Sequence, residues 1–244
     1  MINTILFDLD GTLLPMDQEV FTKEYFRLLT QTAASRGYEA KKLCDTTWQG
    51  TAAMVKNDGQ ALNKEVFWNI FLSVYGQEAA KDIPFFEAFY KNEFNGVAAV
   101  CGKNPLAAHI VEYARNRGFH VALATNPLFP AEGTRNRIRW AGLEPEQFIL
   151  YTTYENSRYC KPNLKYYEDI TRTLHCQPEE CLMVGNDAEE DMAAQEIGMQ
   201  VFLLTDCLIN NKNKDLTAYP QGDFHALLSY IEALPDPKDA VRRI

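Results

Sequence analysis

The sequence predicts an α/β fold: a parallel sheet covered by helices on both faces, interrupted near its start by an all-helical insert. Three observations predict it. An apolar run at residues 3–7 stops abruptly in Asp8-Leu9-Asp10-Gly11-Thr12. Helical spacing without strands then holds from about residue 18 to residue 95, and after Gly96 short apolar runs alternate with helical stretches. Strands apolar throughout are buried on both faces, the environment of a parallel sheet flanked by helices.

In chain order, residues 3–7 read as a buried strand ending in a polar loop. In the insert, Val20, Phe21, Tyr25, Leu28 and Leu29 recur at helical spacing, as do Val66, Phe67, Ile70, Phe71 and Val74, then Phe85, Phe86, Phe89 and Tyr90. Ser35-Arg36-Gly37 and Asn57-Asp58-Gly59 break the helices. Phe67, Trp68, Phe71, Phe85, Phe86 and Phe89 are expected to pack them together. Trp48-Gln49-Gly50-Thr51 and Lys56-Asn57-Asp58, at breaks, are candidates to face a ligand. Beyond Gly96, strands are predicted at 119–124, 148–152, 181–184 and 201–204, and helices near 105–117, 131–141, 163–175, 188–197 and 223–233. The resulting division is a core of residues 1–14 and 97–244 and an insert of residues 15–96.

Charge and composition exclude several classes. Asp and Glu number 33 against 24 Lys and Arg, a net charge of −9, so the surface as a whole repels nucleic acid and anionic lipid. Arg242 and Arg243 are too few for a basic arm. No apolar run approaches the roughly 20 residues of a membrane span, and Met1–Asp8 has neither the basic start nor the long apolar stretch of a secretory signal. The six cysteines form no CxxC pair and read as reduced thiols, so a cytoplasmic location is expected. The default assembly is a monomer or weak homodimer.

In parallel sheets ligands bind beyond the carboxyl ends of the strands. Asp8 and Asp10 follow the first apolar run, Thr125 and Asn126 the second, Arg158 and Lys161 the third, and Asn186 and Asp187 the fourth. Carboxylates that share a site repel each other unless a cation sits among them. Asp8, Asp10 and Asp187 are hard oxygen ligands, so Mg²⁺ is the expected ion, with substrate phosphate oxygens as further ligands.

These strings carry a resemblance. Asp8-Leu9-Asp10-Gly11-Thr12-Leu13 looks like the first motif of the haloacid dehalogenase-like hydrolases, and Leu123-Ala124-Thr125-Asn126 resembles their second. Lys161-Pro162 resembles the third, and Val184-Gly185-Asn186-Asp187 through Asp191, followed by Ile197-Gly198-Met199, the fourth. The four stand in the family's order and span residues 1–14 and roughly 97–205. The insert is similar, by placement and helicity, to the helical cap of the phosphoglycolate-phosphatase-like branch. The resemblance implies a Rossmann-like core and a Mg²⁺-dependent phosphatase acting on a small phosphorylated metabolite. Asp8 would be the nucleophile that forms an aspartyl-phosphate, and Asp10 the acid that protonates the leaving alkoxide and then activates water. Mg²⁺ would be held by the Asp8 carboxylate, the Asp10 main-chain carbonyl and Asp187. Thr125, with Asn126 beside it, and Lys161 would bind the phosphoryl oxygens.

Two details depart from the family pattern. The fourth motif often carries Gly-Asp-Ser, and an ungapped alignment puts Asn186 rather than Asp187 nearest the metal; Asp187 is favoured because a carboxylate binds Mg²⁺ better than an amide. Asp191 is expected to orient Lys161 or a metal-bound water. Lys165, one helical turn after Lys161, is an alternative phosphate ligand. A phosphomutase of the same family and a non-catalytic binding protein on this fold are the rival functions.

Overall fold

In the computed structural model, which describes residues 1–237, the first apolar run forms β1 (Thr4–Phe7), with all four residues buried. Arg242 and Arg243 lie outside the described residues. The chain then enters a helical stretch: α1 (Gln18–Ala33), α2 (Ala40–Val55), α3 (Asn63–Tyr75) and α4 (Ile83–Lys91). Side chains set two of its helix starts. The Asp17 carboxylate accepts the Glu19 and Val20 N–H groups ahead of α1, and Glu39 accepts those of Lys41 and Lys42 ahead of α2, satisfying donors that a helix N-terminus leaves open. Trp48–Thr51 falls inside α2, not at a break between helices as the sequence suggests.

The remainder alternates as expected: α5 (Pro105–Asn116), β2 (His120–Leu123), α6 (Ala131–Trp140), α7 (Leu164–Leu174), β3 (Cys181–Gly185), β4 (Gln200–Leu204), a two-residue β5 (Gln221–Gly222) and α8 (Phe224–Glu232). The strands form one sheet of order β2-β1-β3-β4-β5, and every pair is parallel. Successive strand residues face opposite sides. Ile5 and Phe7 join Leu123 and Val184 over the face covered by α5, α6 and α8, while Leu6 and Met183 meet Tyr166, Tyr167 and Ile170 of α7 on the other. Phe7 pairs with Leu123 and with Val184, so the chain leaves β1, β2 and β3 at one edge of the sheet. This places Asp8, Thr125 and Asn186 together.

Two predicted elements differ. Residues 148–152 approach β2 through Ile149 N–H to Val121 and Leu123 N–H to Leu150, but make one bridge, Leu123 with Tyr151, rather than a strand. The Asn156 side chain takes the Tyr151 carbonyl and the Thr153 N–H, turning the chain away. Residues 188–197 form only a short tight turn at Met192–Ile197, because the Ala188 N–H bonds the Ile209 carbonyl and Asp187 and Asp191 fold their side chains onto local N–H groups.

The helical stretch shares a core with the sheet. Phe94, with no exposed surface, contacts Phe21, Phe89 and Tyr90 from one side and Phe129 and Trp140 from the other, its ring 5.0 Å from that of Trp140. Phe94→Ala is expected to lower unfolding free energy by about 3–5 kcal/mol, measured by urea denaturation, because the vacated volume is enclosed on both sides.

Candidate active site

Asp8 follows β1 directly, and its carboxylate is almost fully buried. One oxygen accepts from the Lys161 ammonium at 2.9 Å and the other lies 3.1 Å from the Thr12 hydroxyl. Lys161, 1% exposed, also donates to Asp191 at 2.6 Å. Burial works against the Lys161 charge, but Asp191 and Asp8 more than offset it and hold the ammonium well above the usual lysine range. Burial pushes the Asp191 carboxyl up, against the opposing pull of Lys161. The alternative, Lys165, is exposed and lies over the Tyr159 ring, away from Asp8.

Asp10 points elsewhere. One of its oxygens pairs with the Arg137 guanidinium, and the other is buried without a hydrogen-bond partner among the described residues. Burial raises the Asp10 carboxyl, with Asp8 adding to the rise and Arg137 opposing it. Arg137 is fully buried in α6, where it donates to the Gly133 carbonyl and the Thr134 hydroxyl and lies 4.3 Å over the Phe129 ring. Sequence reasoning missed it. A charge recurring with Thr134 and Ile138 on the buried face of a helix was the available signal.

The two candidate residues of the fourth motif take different positions. Asn186, not Asp187, reaches the Asp8–Thr12 pair: its side-chain oxygen lies 2.9 Å from the Thr12 hydroxyl, and its amide donates to the Cys207 carbonyl at 2.7 Å. Asp187 lines the same cavity as Asp8, but one of its oxygens accepts the Glu189 and Glu190 N–H groups. Asp8, Asp10 and Asp187 line one cavity; the Asp10 carboxylate pairs with Arg137, and among the described residues no three His, Cys, Asp or Glu side chains surround one point. A hard divalent cation still fits the donor set if it draws on the Asp8 and Asp187 carboxylates together with main-chain and amide oxygens, since all are oxygen ligands opening on one cavity.

That cavity holds about 310 Å³. Its floor is Asp8, Asp10, Thr125, Asn126 and Asp187, and it extends between α1, α2 and α3 past Trp48, Phe67 and Phe71. Phe67, Trp68, Phe71 and Phe86 thus serve both as helix packing and as cavity wall. Thr51 lines it, whereas Asn57 bonds the Ala61 carbonyl and Asn63 within its own turn. The Thr125 carbonyl is fixed by the hydroxyls of Thr152 and Tyr166. Asn126 donates to Glu190, whose carboxyl burial raises to about 8, and the side-chain oxygen of Asn126 has no partner among the described residues. No described helix is long and apolar enough to cross a membrane.

A family model described as haloacid dehalogenase-like hydrolase matches residues 2–198. A mouse protein, haloacid dehalogenase-like hydrolase domain-containing protein 2, is 24% identical over 214 residues, covering 81% of this chain and 82% of its own. Among solved structures, a 2-haloacid dehalogenase from Pseudomonas syringae pv. Tomato superposes with a TM-score of 0.60 at 17% identity, over 96% of this chain and 99% of that one. A HAD phosphatase from Thermococcus onnurineus gives 0.59 at 17% identity, over 94% and 98%. The likeness is one of fold and spans two chemistries, which leaves the choice between them to the side chains.

Removing the buried ammonium leaves Asp8 and Asp191 uncompensated. Lys161→Met is expected to cost about 3–5 kcal/mol at pH 7 in metal-free buffer. Burial already raises the Asp191 carboxyl, and without the lysine nothing opposes that rise, so the deficit grows as pH rises from about 4 and shrinks as acid protonates Asp191. Urea denaturation of both proteins at pH 4.5 and pH 7 measures this, and a deficit that does not depend on pH contradicts it.

Proposed function

Since the chain belongs to the haloacid dehalogenase-like hydrolase family, we propose that it is a Mg²⁺-dependent phosphatase that hydrolyses a small phosphorylated metabolite through an aspartyl-phosphate on Asp8. The observation that carries this reading is the pairing of two differently held carboxylates at the cavity floor. Asp8 is fixed by Lys161 and Thr12, and Asp10 is fixed by Arg137 through one oxygen with the other left open. An alkoxide leaving group needs a proton donor beside the nucleophile, whereas a departing halide does not.

In this mechanism an Asp8 oxygen attacks phosphorus in line with the ester oxygen. The phosphorus–ester bond breaks, and the leaving alkoxide takes a proton from Asp10. Water then attacks the phosphorus of the aspartyl-phosphate and gives its proton to Asp10, releasing phosphate and restoring Asp8. Lys161 balances the charge of Asp8, and Thr125 and Asn126 stand where phosphoryl oxygens would be held, an arrangement that suits a reaction governed by positioning and electrostatics. Asp8, the Asp10 carbonyl and Asp187, with Asn186 adjacent, would hold Mg²⁺, which when bound supplies positive charge against the transferring phosphoryl group. The helical stretch 15–96 acts as a cap over the core, excluding water from the cavity.

The test is phosphate release from 4-nitrophenyl phosphate with Mg²⁺. EDTA is expected to abolish it and Asp8→Asn to lower it on the order of 10³-fold or more, with Asp10→Asn lowering it by about 10²–10⁴-fold. Halide release from 2-chloropropionate without phosphatase turnover would overturn the reading.

A further inference from the structure

We propose that the alcohol part of the substrate is flat, apolar and uncharged, an aromatic or arylalkyl phosphate monoester seated against Trp48. This deepens the phosphatase reading of Asp8 and rests on it. The cavity wall beyond the floor contains no Lys, Arg or His among the described residues. The two cations paired with floor carboxylates are already engaged, Lys161 by Asp8 and Asp191 and Arg137 by Asp10. The charged residues that do line the cavity are all acidic, with Asp187 on the floor and Glu190 beside it. A carboxylate or second phosphate on the leaving group would therefore lose its water, meet no counter-charge and face like charge.

A polyhydroxylated alcohol finds few polar partners, because part of the wall's polar surface is already engaged and the hydroxyl and amide side chains that remain on the three cap helices are Gln18, Thr22 and Thr51. The Tyr25 and Tyr90 hydroxyls bond each other at 2.9 Å, Thr47 donates to the Leu43 carbonyl, and the Tyr154 hydroxyl receives the Trp68 indole N–H. What the wall offers is ring surface. Trp48 is 52% exposed, packs obliquely on Phe26 with ring centroids 5.4 Å apart, and borders the cavity. Phe67 is drawn close to α2 because Gly50 has no side chain; a Cβ there would come within 2.6 Å of the ring. Exposed aromatic faces at a cavity mouth favour a planar ligand by stacking, and the arrangement selects by shape and apolar area rather than by charge.

The experiment uses the full chain with Mg²⁺ and three primary alkyl phosphates, whose leaving alcohols have broadly similar basicity: 2-phenylethyl phosphate, 2-phosphoglycolate and glucose 6-phosphate. Acetyl phosphate, whose leaving group is too small to fill the cavity, reports the Asp8 chemistry alone. The kcat/KM for 2-phenylethyl phosphate is expected to exceed that of the other two alkyl esters by at least tenfold, equivalent to about 1.4 kcal/mol of transition-state binding. Trp48→Ala is expected to lower the ratio of 2-phenylethyl phosphate to acetyl phosphate turnover by about tenfold. If acetyl phosphate is hydrolysed in an Asp8-dependent manner while phosphoglycolate or glucose 6-phosphate matches or exceeds the arylalkyl ester, the substrate class is overturned and the phosphatase reading stands. An unchanged ratio in Trp48→Ala overturns the assignment of the seat. If no Asp8-dependent phosphate is released from any of the four, both readings fall.

Discussion

One buried ammonium organises this site. Burying a lysine costs several kcal/mol unless carboxylates compensate it, and Lys161 has two, Asp8 at 2.9 Å and Asp191 at 2.6 Å. The three residues come from the end of β1, the loop before α7 and the turn after β3, so they meet only if β1 and β3 are parallel neighbours in the observed register. Asp191 reaches under β3 because Gly185 leaves the space open; a Cβ there would collide with the Asp191 carboxyl group. The same carboxylate accepts the Asp187 N–H, so the group that holds the lysine also shapes the turn that carries Asn186 and Asp187.

A second ion pair separates the two floor carboxylates. Asp10 lies two residues from Asp8, yet its carboxylate turns to Arg137 on α6 while Asp8 turns to Lys161. Two carboxylates in different environments can take different roles in one reaction, and separate cations are one way to create that difference. The net charge of −9 is spread over the whole chain; at the floor two buried cations stand against Asp8, Asp10 and Asp191. Both cations are confined to the floor, and among the described residues the chamber above it is lined by aromatic rings with no Lys, Arg or His.

Much of this was legible in the sequence, for a physical reason. Strands buried on both faces must be apolar throughout, so the runs at 3–7, 119–124, 181–184 and 201–204 declare themselves, and the parallel topology brings the residues at their carboxyl ends to one edge. The run at 148–152 looked the same, but its fate was decided by Asn156 bonding back to Tyr151 and Thr153, a local competition that apolar patterning does not register. Arg137 shares the buried spacing of Thr134 and Ile138, but one arginine among Arg135, Arg137 and Arg139 also reads as part of a solvated helix; the docking of α6 beside the Asp10 loop makes it a buried partner. Trp48 borders the cavity from within α2 rather than from a break between helices, a position that the polar stretch around it does not reveal.

The departure at Asn186 has a steric and electrostatic cause. Its amide nitrogen donates to the Cys207 carbonyl at 2.7 Å, and its oxygen lies 2.9 Å from the Thr12 hydroxyl. A carboxylate in the same place would set two acceptors against each other at the Cys207 carbonyl and add a negative charge next to Asp8. Gly11 is part of the same fit: its φ of +84° suits glycine, and a Cβ there would collide with the Asn186 amide nitrogen. The Gly11-Thr12 turn and Asn186 are therefore complementary surfaces, and an amide is the side chain that satisfies both. The next residue, Asp187, opens on the same cavity while the N–H groups of Glu189 and Glu190 hold one of its carboxylate oxygens.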